Sequence, residues 1–224
     1  MLQCCLNSTA ALMMDITDLR KDYTQAGLRR QDLEIEPLQQ FDKWFKQAQA
    51  ALIDEPNAMS IATVGKDLMP SLRTVLLKIY DASGFVFFTN YHSQKAQEIQ
   101  QNPNVAVLFA WLGLERQVRI SGRVEKISST QSFAYFASRP KGSQLGAWIS
   151  PQSKIIESRD FLKQKLAAMK AKFSSGKIPL PDAWGGYRIV PQRFEFWQGR
   201  CSRLHDRFVY EKEGNTWKIH RLAP

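Results

Sequence analysis

Apolar side chains recur at helical spacing early in the chain. The positions that would share one helix face are Leu38, Phe41, Trp44, Phe45, Ala48 and Leu52. This spacing predicts a helix over residues 37–52, and a proline fits its first turn because that turn needs no N–H from it. Similar periodicity and good N-cap residues predict further helices over residues 93–102, 128–138 and 157–173.

Short runs of alternating or β-branched residues predict strands between these helices. They cover residues 58–64, 71–80, 84–89, 105–111, 115–127, 186–190, 193–198, 207–212 and 216–221. Turn signals such as Gly214-Asn215 separate several of them. Consecutive hairpin-like strands with a few helices favour an antiparallel barrel over a doubly wound sheet. We therefore predict a mainly β (α+β) fold, with a disordered tail over residues 1–18 and a single domain over residues 19–224.

Composition narrows the classes of function. The formal net charge of +10 indicates an anionic partner, either nucleic acid or small phosphates. The three cysteines, Cys4, Cys5 and Cys201, form no CxxC pattern, so neither a zinc ribbon nor a disulfide framework is indicated. We expect a reducing, cytoplasmic setting. No apolar run approaches the roughly 20 residues of a membrane-spanning helix.

Familiar catalytic motifs are missing from the chain. It contains no GxGxxG, no Walker GxxxxGK[ST] and no GxSxG elbow. The histidines His92, His205 and His220 lack the spacing of metal ligands, so no metal site is expected. If the chain is an enzyme, a bound cofactor performs the reaction.

Three basic clusters are candidates for binding phosphate. They are RTVLLK at residues 73–78, SQK at the helix start of residues 93–95, and YFASRPKGS at residues 135–143, where a helix runs into a Gly/Pro loop. A helix N-terminus favours an anion, and the third cluster offers a phenol, a guanidinium and a hydroxyl. Simpler interpretations are solvated strand ends and a plain helix cap. Strict alternation places Arg73 and Lys78 on opposite faces of one strand, so only a bulge or a dimer interface would bring both to one pocket.

The C-terminal part of the chain combines aromatic and cationic residues. Trp197 offers a flat surface for a ring system. On an extended segment Arg203 and His205 would face the same side, and Arg207 would continue that row. This arrangement is typical of a site for a flat phosphorylated ligand. The alternative is a core tryptophan beside a surface ion pair from Asp206 to an arginine.

At these residues the sequence resembles the pyridoxine/pyridoxamine 5′-phosphate oxidase family. The resemblance runs from about Leu19 to Pro224 and is carried by ordered motifs. They are RTVLLK (73–78), LERQV (114–118), SRPKGSQLGAW (138–148), PLPDAWGGYR (179–188), EFWQG (195–199), RLHDRF (203–208) and the final RLAP. So many motifs in one order are far more specific than a single short pattern.

The resemblance implies an FMN-binding split β-barrel of antiparallel Greek-key type, assembled as a homodimer with FMN at the subunit interface. For FMN it points to Arg73, Lys78, Phe88, Thr89, Gln94, Lys95, Gln117, Gln152, Ser153, Trp197 and Arg207. For the substrate it points to Arg20, Tyr23, Lys78, Tyr135, Arg139, Ser143, Arg203 and His205. The implied partners are a small phosphorylated pyridine and O2, with neither nucleic acid nor a membrane.

The implied reaction oxidises pyridoxine 5′-phosphate and pyridoxamine 5′-phosphate to pyridoxal 5′-phosphate, releasing hydrogen peroxide, and ammonia from the amine. Arg203 and His205 are the expected catalytic residues, the first covering the pyridine ring and the second orienting it or exchanging a proton. Arg20 and Tyr23 match an N-terminal segment that can close over the site.

Two positions depart from the family pattern. Gln94 stands where members usually carry arginine, so one charge-assisted contact to the FMN phosphate is missing. Phe88 stands where tyrosine is common. If that position contributes only backbone, the change has little effect.

Two rival functions follow from the same residues. A related split-barrel flavoprotein, such as a flavin reductase, would keep the FMN site but has no reason to keep Tyr135, Arg139 and Ser143 together with the RLH segment. A nucleic-acid-binding barrel would fit the net charge and the exposed aromatics. Against it, the basic residues fall in discrete pockets with glycines, and we expect the oxidase.

Overall fold

The computed structural model describes residues 22–24, 27–174 and 176–224, and most of these build one curled antiparallel sheet. Its strands are β1 (Ala58–Val64), β2 (Pro70–Leu76), β3 (Ile79–Asp81), β4 (Gly84–Asn90), β5 (Asn104–Trp111), β6 (Arg116–Lys126), β7 (Trp184–Gln198), β8 (Asp206–Glu213) and β9 (Thr216–Leu222). Neighbours follow the order β2-β1-β5-β6-β7-β4-β3, with β8 on β7 and β9 on β8. The predicted antiparallel split barrel is confirmed. The tail of residues 1–18 and Arg20 lie outside the described residues.

Five helices in the described ranges surround the sheet. They are α1 (Pro37–Ala50), α2 (Gln94–Gln101), α3 (Ser129–Ser138), α4 (Lys141–Ile149) and α5 (Arg159–Lys172). The predicted apolar face of α1 is buried at Phe41, Trp44 and Ala48. Leu52, which was expected to extend that face, is exposed, because α1 ends at Ala50 and Leu52 adopts a left-handed φ of 53°.

Two hydrophobic clusters hold the elements together. The larger fills the barrel with fully buried rings, among them Phe41, Phe85, Phe109 and Phe194. Burying each such ring contributes about 1.5–3 kcal/mol. The second cluster consists of Phe136, Leu145, Ile178 and Trp184, with Leu166, Met169 and Phe173 packed against it. It fixes α3, α4 and α5 against the start of β7, which positions much of the candidate site.

The expected single strand over residues 71–80 is wrong, since it is two strands on different edges of the sheet. Leu77 N–H donates to the Asn57 carbonyl at 2.9 Å, whereas Lys78 N–H donates to the Val86 carbonyl at 2.9 Å. The chain therefore crosses from β2 to β3 between these two residues. Continuous apolar residues at the crossing hid this break from pattern analysis. Lys78 lies beyond β2, so the alternation of side chains along β2 places Arg73 but does not determine the direction of Lys78.

The expected Gly/Pro loop after α3 is also wrong, because residues 141–149 form α4. Pro140 occupies the N-cap position, where its missing N–H is harmless. Each glycine in a helix interior costs about 1 kcal/mol relative to alanine. Burial of Leu145 in the second cluster offsets that cost.

The two strands expected over residues 186–190 and 193–198 are one strand, β7, with a bulge. Ser121 of β6 pairs with Arg193 and Gly122 with Pro191, so Gln192 has no opposite residue in this ladder. A bulge is one of the few places where a strand tolerates proline.

None of the helices within the described ranges has both the length and the apolar character needed to cross a membrane.

Candidate active site

A cavity of about 320 Å³ opens between β2, β4 and the helices α2 and α3. Its lining residues are Thr74, Val75, Leu76, Lys78, Phe88, Thr89, Lys95, Tyr135, Arg139, Gln152 and Trp184. We call this the cation cavity, since Lys78, Lys95 and Arg139 all reach it and no acidic residue lines it. Its volume is at the small end of the range for ligand pockets, about 300–1,000 Å³.

Lys95 is a buried cation at the N-terminus of α2. Lys95 is only 8% exposed. Its Nζ donates to Thr89 Oγ1 at 3.2 Å and to Gln152 Oε1 at 3.0 Å. Among the described residues no carboxylate pairs with it. Burial, followed by the charge of Arg73, lowers the Lys95 pKa, while Glu98 opposes the shift. A buried cation with neutral partners at a helix N-terminus is suited to an anionic ligand.

Arg73 lies behind this position and is held by a polar network. Its Nη2 donates to Ser71 Oγ at 2.7 Å and lies 3.3 Å from Glu98 Oε2, and its Nη1 donates to Thr63 Oγ1. The exposed Gln94 donates through Nε2 to Glu98 Oε1 at 2.8 Å. Glu98 therefore links the two predicted residues Arg73 and Gln94, although the sequence predicted no role for it. Its i+4 spacing from Gln94 on a predicted helix was the available signal.

The predicted phosphate-binding residues of the α3 end come together around Arg139. The Arg139 guanidinium lies 4.6 Å from the centre of the Trp184 ring, and its buried Nη1 has no hydrogen-bond partner. Tyr135 stacks on Phe88 with ring centroids 4.0 Å apart. Burial lowers the Arg139 pKa and raises the Tyr135 pKa. Ser143 lines an adjoining cavity of about 220 Å³ that also contacts Arg139.

Three other predicted residues form a transverse row on the sheet. Gln117 of β6 is directly opposite Trp197 of β7, which is directly opposite Arg207 of β8. Directly opposite residues project from the same face, so we call these three the Trp197 row. Arg207 donates through Nε and Nη2 to Glu195 Oε1 at 3.0 and 2.9 Å. No member of the row is among the residues that line the cation cavity.

The extended segment expected at Arg203 and His205 is wrong. Cys201–Arg203 forms a tight 3-10 turn in which Ser202 and Arg203 adopt left-handed φ values of 54° and 60°. The two side chains are therefore not related by strand alternation. The His205 ring lies 4.6 Å from Trp197, so it borders the Trp197 row, whereas Arg203 is exposed beside it.

The tautomer of His205 follows from one hydrogen bond. The Arg200 backbone N–H donates to His205 Nδ1 at 3.1 Å. In the neutral ring Nδ1 is then the acceptor and Nε2 carries the hydrogen. Nε2 is therefore the position from which His205 can donate to a ligand.

Tyr23 lies against the same end of the sheet. Its ring meets those of Trp197 and His205 edge-on, with centroids 5.7 and 5.5 Å away. The Thr24 N–H fixes this segment by donating to Glu115 Oε2 at 3.0 Å. The other residue predicted for the closing segment, Arg20, lies outside the described residues.

The structure agrees only in part with the alternative interpretation of the C-terminal run, a core tryptophan beside a surface ion pair from Asp206 to an arginine. Asp206 pairs with Arg221 at 2.6 Å, as a surface ion pair requires. Trp197, however, is only half-buried and is not part of the hydrophobic clusters. It remains available to contact a flat ligand.

The remaining predicted residues complete this description. Ser153 is exposed, with a left-handed φ of 68°, directly after Gln152. Trp184, which belongs to the PLPDAWGGYR motif, lines the cation cavity, and the sequence predicts no role for it. No group of three or more potential metal ligands occurs in the described ranges. The site thus offers cations, amides and aromatic faces in two separate places, which suits a bound organic cofactor.

Family comparisons agree along almost the whole chain. The model described as "Pyridoxamine 5'-phosphate oxidase" matches residues 45–173, and that described as "Pyridoxine 5'-phosphate oxidase C-terminal dimerisation region" matches residues 184–224. The pyridoxine/pyridoxamine 5′-phosphate oxidase of Crocosphaera subtropica is 60% identical over 214 residues, covering 94% of this chain and 100% of its own. That of Rippkaea orientalis is 60% identical over 212 residues, with the same coverage.

Solved structures show the same fold. PhzG from Burkholderia lata 383, in complex with tetrahydrophenazine-1-carboxylic acid, superposes with a TM-score of 0.84 at 28% identity. The match covers 89% of this chain and 99% of that one. A pyridoxamine 5′-phosphate oxidase-related, FMN-binding protein from Nostoc punctiforme superposes with a TM-score of 0.67 at 17% identity, covering 86% and 100% of the two chains.

Proposed function

The chain belongs to the pyridoxamine 5′-phosphate oxidase family, and on that premise we propose that it is an FMN-dependent oxidase producing pyridoxal 5′-phosphate. Pyridoxine 5′-phosphate and O2 give the aldehyde and hydrogen peroxide. Pyridoxamine 5′-phosphate, O2 and water give the aldehyde, ammonia and hydrogen peroxide. The observation that carries this proposal is that buried Lys95 and half-buried Arg139 share one cavity without a carboxylate partner in the described ranges.

The residues of the cation cavity fit an FMN phosphate. Lys95 supplies a buried positive charge, and Thr89 and Gln152 fix its Nζ. Arg73 adds a second charge nearby, which lowers the Lys95 pKa. Burial disfavours the charged form of Lys95. A phosphate bound there would pair with that charge, so its binding would be energetically favourable.

A second phosphate, that of the substrate, fits the other end of the cavity. Arg139 presents a buried Nη1 without a partner, which a phosphate oxygen can satisfy. Tyr135 and Lys78 line the same cavity, and Ser143 lines the adjoining one. In our proposal these four side chains orient the pyridine by its phosphate.

FMN, when bound, supplies the redox chemistry, in which two electrons pass from the substrate to the flavin and then to O2. The Trp197 row supplies an aromatic face and the Arg207 cation on which a flat phosphorylated ligand can rest. His205 can donate from Nε2, because Nδ1 accepts from Arg200. In our proposal His205 orients the substrate or exchanges a proton, and Arg203 covers the ring.

We propose that two subunits bring these parts together. The dimerisation region of the family, residues 184–224, contains Trp197, Arg203, His205 and Arg207, and it supports a homodimer. Within one chain the Trp197 row and the cation cavity are separate places. In the proposed dimer, the Trp197 row of one subunit completes the cation cavity of the other, and FMN lies at the interface.

Oxygen consumption tests the proposal directly. The purified protein, loaded with FMN, is expected to be yellow and to consume oxygen with either phosphorylated vitamer, forming hydrogen peroxide. Ammonia should form from the amine alone. Yellow protein that is inert to both vitamers would point to another split-barrel flavoprotein. Protein that stays colourless after incubation with FMN, yet binds nucleic acid, would support the basic-barrel alternative.

A further inference from the structure

Arg139 is oriented by aromatic rings and not by a carboxylate. Its guanidinium lies 4.6 Å from the centre of the Trp184 ring and 6.0 Å from that of Phe136. Nη1 is buried and makes no hydrogen bond. No described carboxylate lies within ion-pairing distance of Arg139, the C-cap residue of α3, whereas many arginines of the described sheet have such a partner. Those with a carboxylate partner include Arg73, Arg119, Arg188, Arg207 and Arg221.

The absence of a carboxylate among its described partners has a consequence for ligand binding. A carboxylate partner would orient the guanidinium but would also compete with an incoming phosphate for its N–H groups. The face of an indole orients the guanidinium by cation–π attraction and leaves its N–H edge free. Arg139 therefore keeps both its charge and its donors available to an anion in the cavity.

Trp184 is itself rigidly placed. It is the first residue of β7, opposite Asn90 of β4, and its backbone N–H donates to the Pro181 carbonyl at 3.0 Å. The Phe88 ring lies parallel to it, with an interplanar angle of 12° and centroids 5.3 Å apart. Phe136 meets it edge-on at 5.4 Å. A ring held from several sides can fix the guanidinium that rests on it.

We propose that Trp184 is a positioning residue that holds Arg139 on its indole face and so sets the preference for phosphorylated over unphosphorylated pyridines. The inference rests on the proposed function, since it takes Arg139 as the residue that binds the substrate phosphate. Phe88 takes part by lying against both Trp184 and Tyr135. This gives a role to the Phe88 ring, which the sequence alone left open.

The competing explanation is that Trp184 only fills the second hydrophobic cluster. In that case truncation would lower stability and weaken all ligands alike. A positioning role predicts a selective loss that affects phosphate-bearing ligands only. It also predicts rescue by another aromatic ring, because phenylalanine retains a face for the guanidinium.

Equilibrium binding to the FMN-loaded protein separates these explanations. The probes are pyridoxal 5′-phosphate and pyridoxal, titrated against wild type, Trp184→Leu, Trp184→Phe and Ile178→Ala. Ile178 belongs to the same cluster but makes no described contact with Arg139, so Ile178→Ala measures the effect of loosened packing alone. Thermal melting of each variant shows whether it is folded.

We expect Trp184→Leu to weaken pyridoxal 5′-phosphate binding about ten-fold, which lies between the sizes of an exposed and a desolvated cation–π contact and fits a half-buried arginine. Pyridoxal and FMN binding should stay unchanged, and Trp184→Phe and Ile178→Ala should stay close to wild type. An equal loss for both pyridines, or a Trp184→Phe variant as weak as Trp184→Leu, overturns the inference. If Trp184→Leu does not fold, Trp184→Phe and Trp184→Met provide the same comparison. Wild type that fails to bind either pyridine would instead refute the proposed function.

Discussion

Lys95 is a buried cation whose surroundings suit an anionic ligand. Its ammonium group is buried among neutral oxygens, where burial disfavours the charged form and lowers the pKa. Folding around such a group lowers stability unless an anion arrives. The FMN phosphate is the anion that our proposal supplies, so binding and stability should respond to this residue in opposite directions.

Replacing Lys95 with methionine should weaken FMN binding by about 10- to 100-fold, since a charge-assisted hydrogen bond contributes about 1.5–3 kcal/mol. The cofactor-free variant should melt at the same or a higher temperature than wild type, because a buried unpaired charge is removed. Flavin fluorescence titration and thermal melting measure the two effects. Lys66→Met, on an exposed lysine, should change neither. A Lys95→Met variant that binds FMN as wild type does would show that the phosphate lies elsewhere.

Gln94 tests the departure from the family pattern. Its amide donates to Glu98, which also holds Arg73. Gln94→Arg should tighten FMN binding by about five-fold, because the new cation pairs with Glu98 at i+4 and frees Arg73, or reaches the phosphate itself. Gln97→Arg adds the same charge to an exposed position of α2 and is the matched control. Equal or weaker FMN affinity in Gln94→Arg would show that the missing charge is supplied elsewhere.

At the scale of elements, the sequence pattern correctly predicted those helices and strands whose position depends on residue spacing and local propensity. The strand β1 and the start of α1 at Pro37 follow from alternation and helical spacing. The crossing at Leu77 and the helix α4 were missed, because tertiary contacts decide them against the local pattern. Propensity is a weak prior wherever a core contact such as that of Leu145 offsets it.

The candidate site was predictable in its residues but not in its grouping. The three basic clusters and the C-terminal run of Trp197, Arg203, His205 and Arg207 were indicated by residue type and spacing. The family resemblance added Arg20, Tyr23, Phe88, Thr89, Gln117, Gln152 and Ser153. Only the register of β6, β7 and β8 shows that Gln117, Trp197 and Arg207 form one row. Trp184 could not be identified, because its contact with Arg139 joins β7 to the end of α3.

The bulge between β6 and β7 gives a prediction about stability. A Cβ added to Gly122 would lie 2.2 Å from the Val190 carbonyl oxygen, which is backbone and cannot move aside without breaking the ladder. Gly122→Ala should therefore lose about 1–3 kcal/mol of unfolding free energy, as overpacked sites do. Gly142→Ala, whose Cβ meets nothing within 4 Å, should keep the free energy of unfolding or raise it by up to about 1 kcal/mol, because alanine is the better helix former in α4. Chemical denaturation of both variants measures this, and an unaffected Gly122→Ala variant would contradict the bulge geometry.

At the scale of the whole molecule, the net charge of +10 acquires a specific meaning. Some of the excess is concentrated in a cavity where Lys78, Lys95 and Arg139 line the wall without acidic residues. Many other arginines of the sheet are neutralised by carboxylates, as Arg207 is by Glu195. The charge therefore favours small phosphorylated ligands in one place over a polyanion along a surface.

The separation of the cation cavity and the Trp197 row makes the proposed active site a property of the dimer. In a two-fold dimer each site would combine the cavity of one subunit with the row of the other. A subunit damaged only in its cavity and a subunit damaged only at Arg203, two residues before the His205 that borders the Trp197 row, should then complement each other. In their mixed dimer, one site carries both changes and the other carries neither.

Co-expression of Arg139→Met and Arg203→Leu subunits, with different tags to isolate the mixed dimer, is the most direct measurement of this claim. Oxygen consumption is recorded with pyridoxamine 5′-phosphate at a concentration where each parent homodimer is inactive. The mixed dimer is predicted to recover about half of the wild-type rate, since one of its two sites is intact. The same two changes placed together in one subunit, paired with wild type, should leave no activity, because each of the two sites then carries one of the changes; half of the wild-type rate there would indicate sites contained within one subunit. A mixed dimer as inactive as its parents would contradict a site shared between subunits.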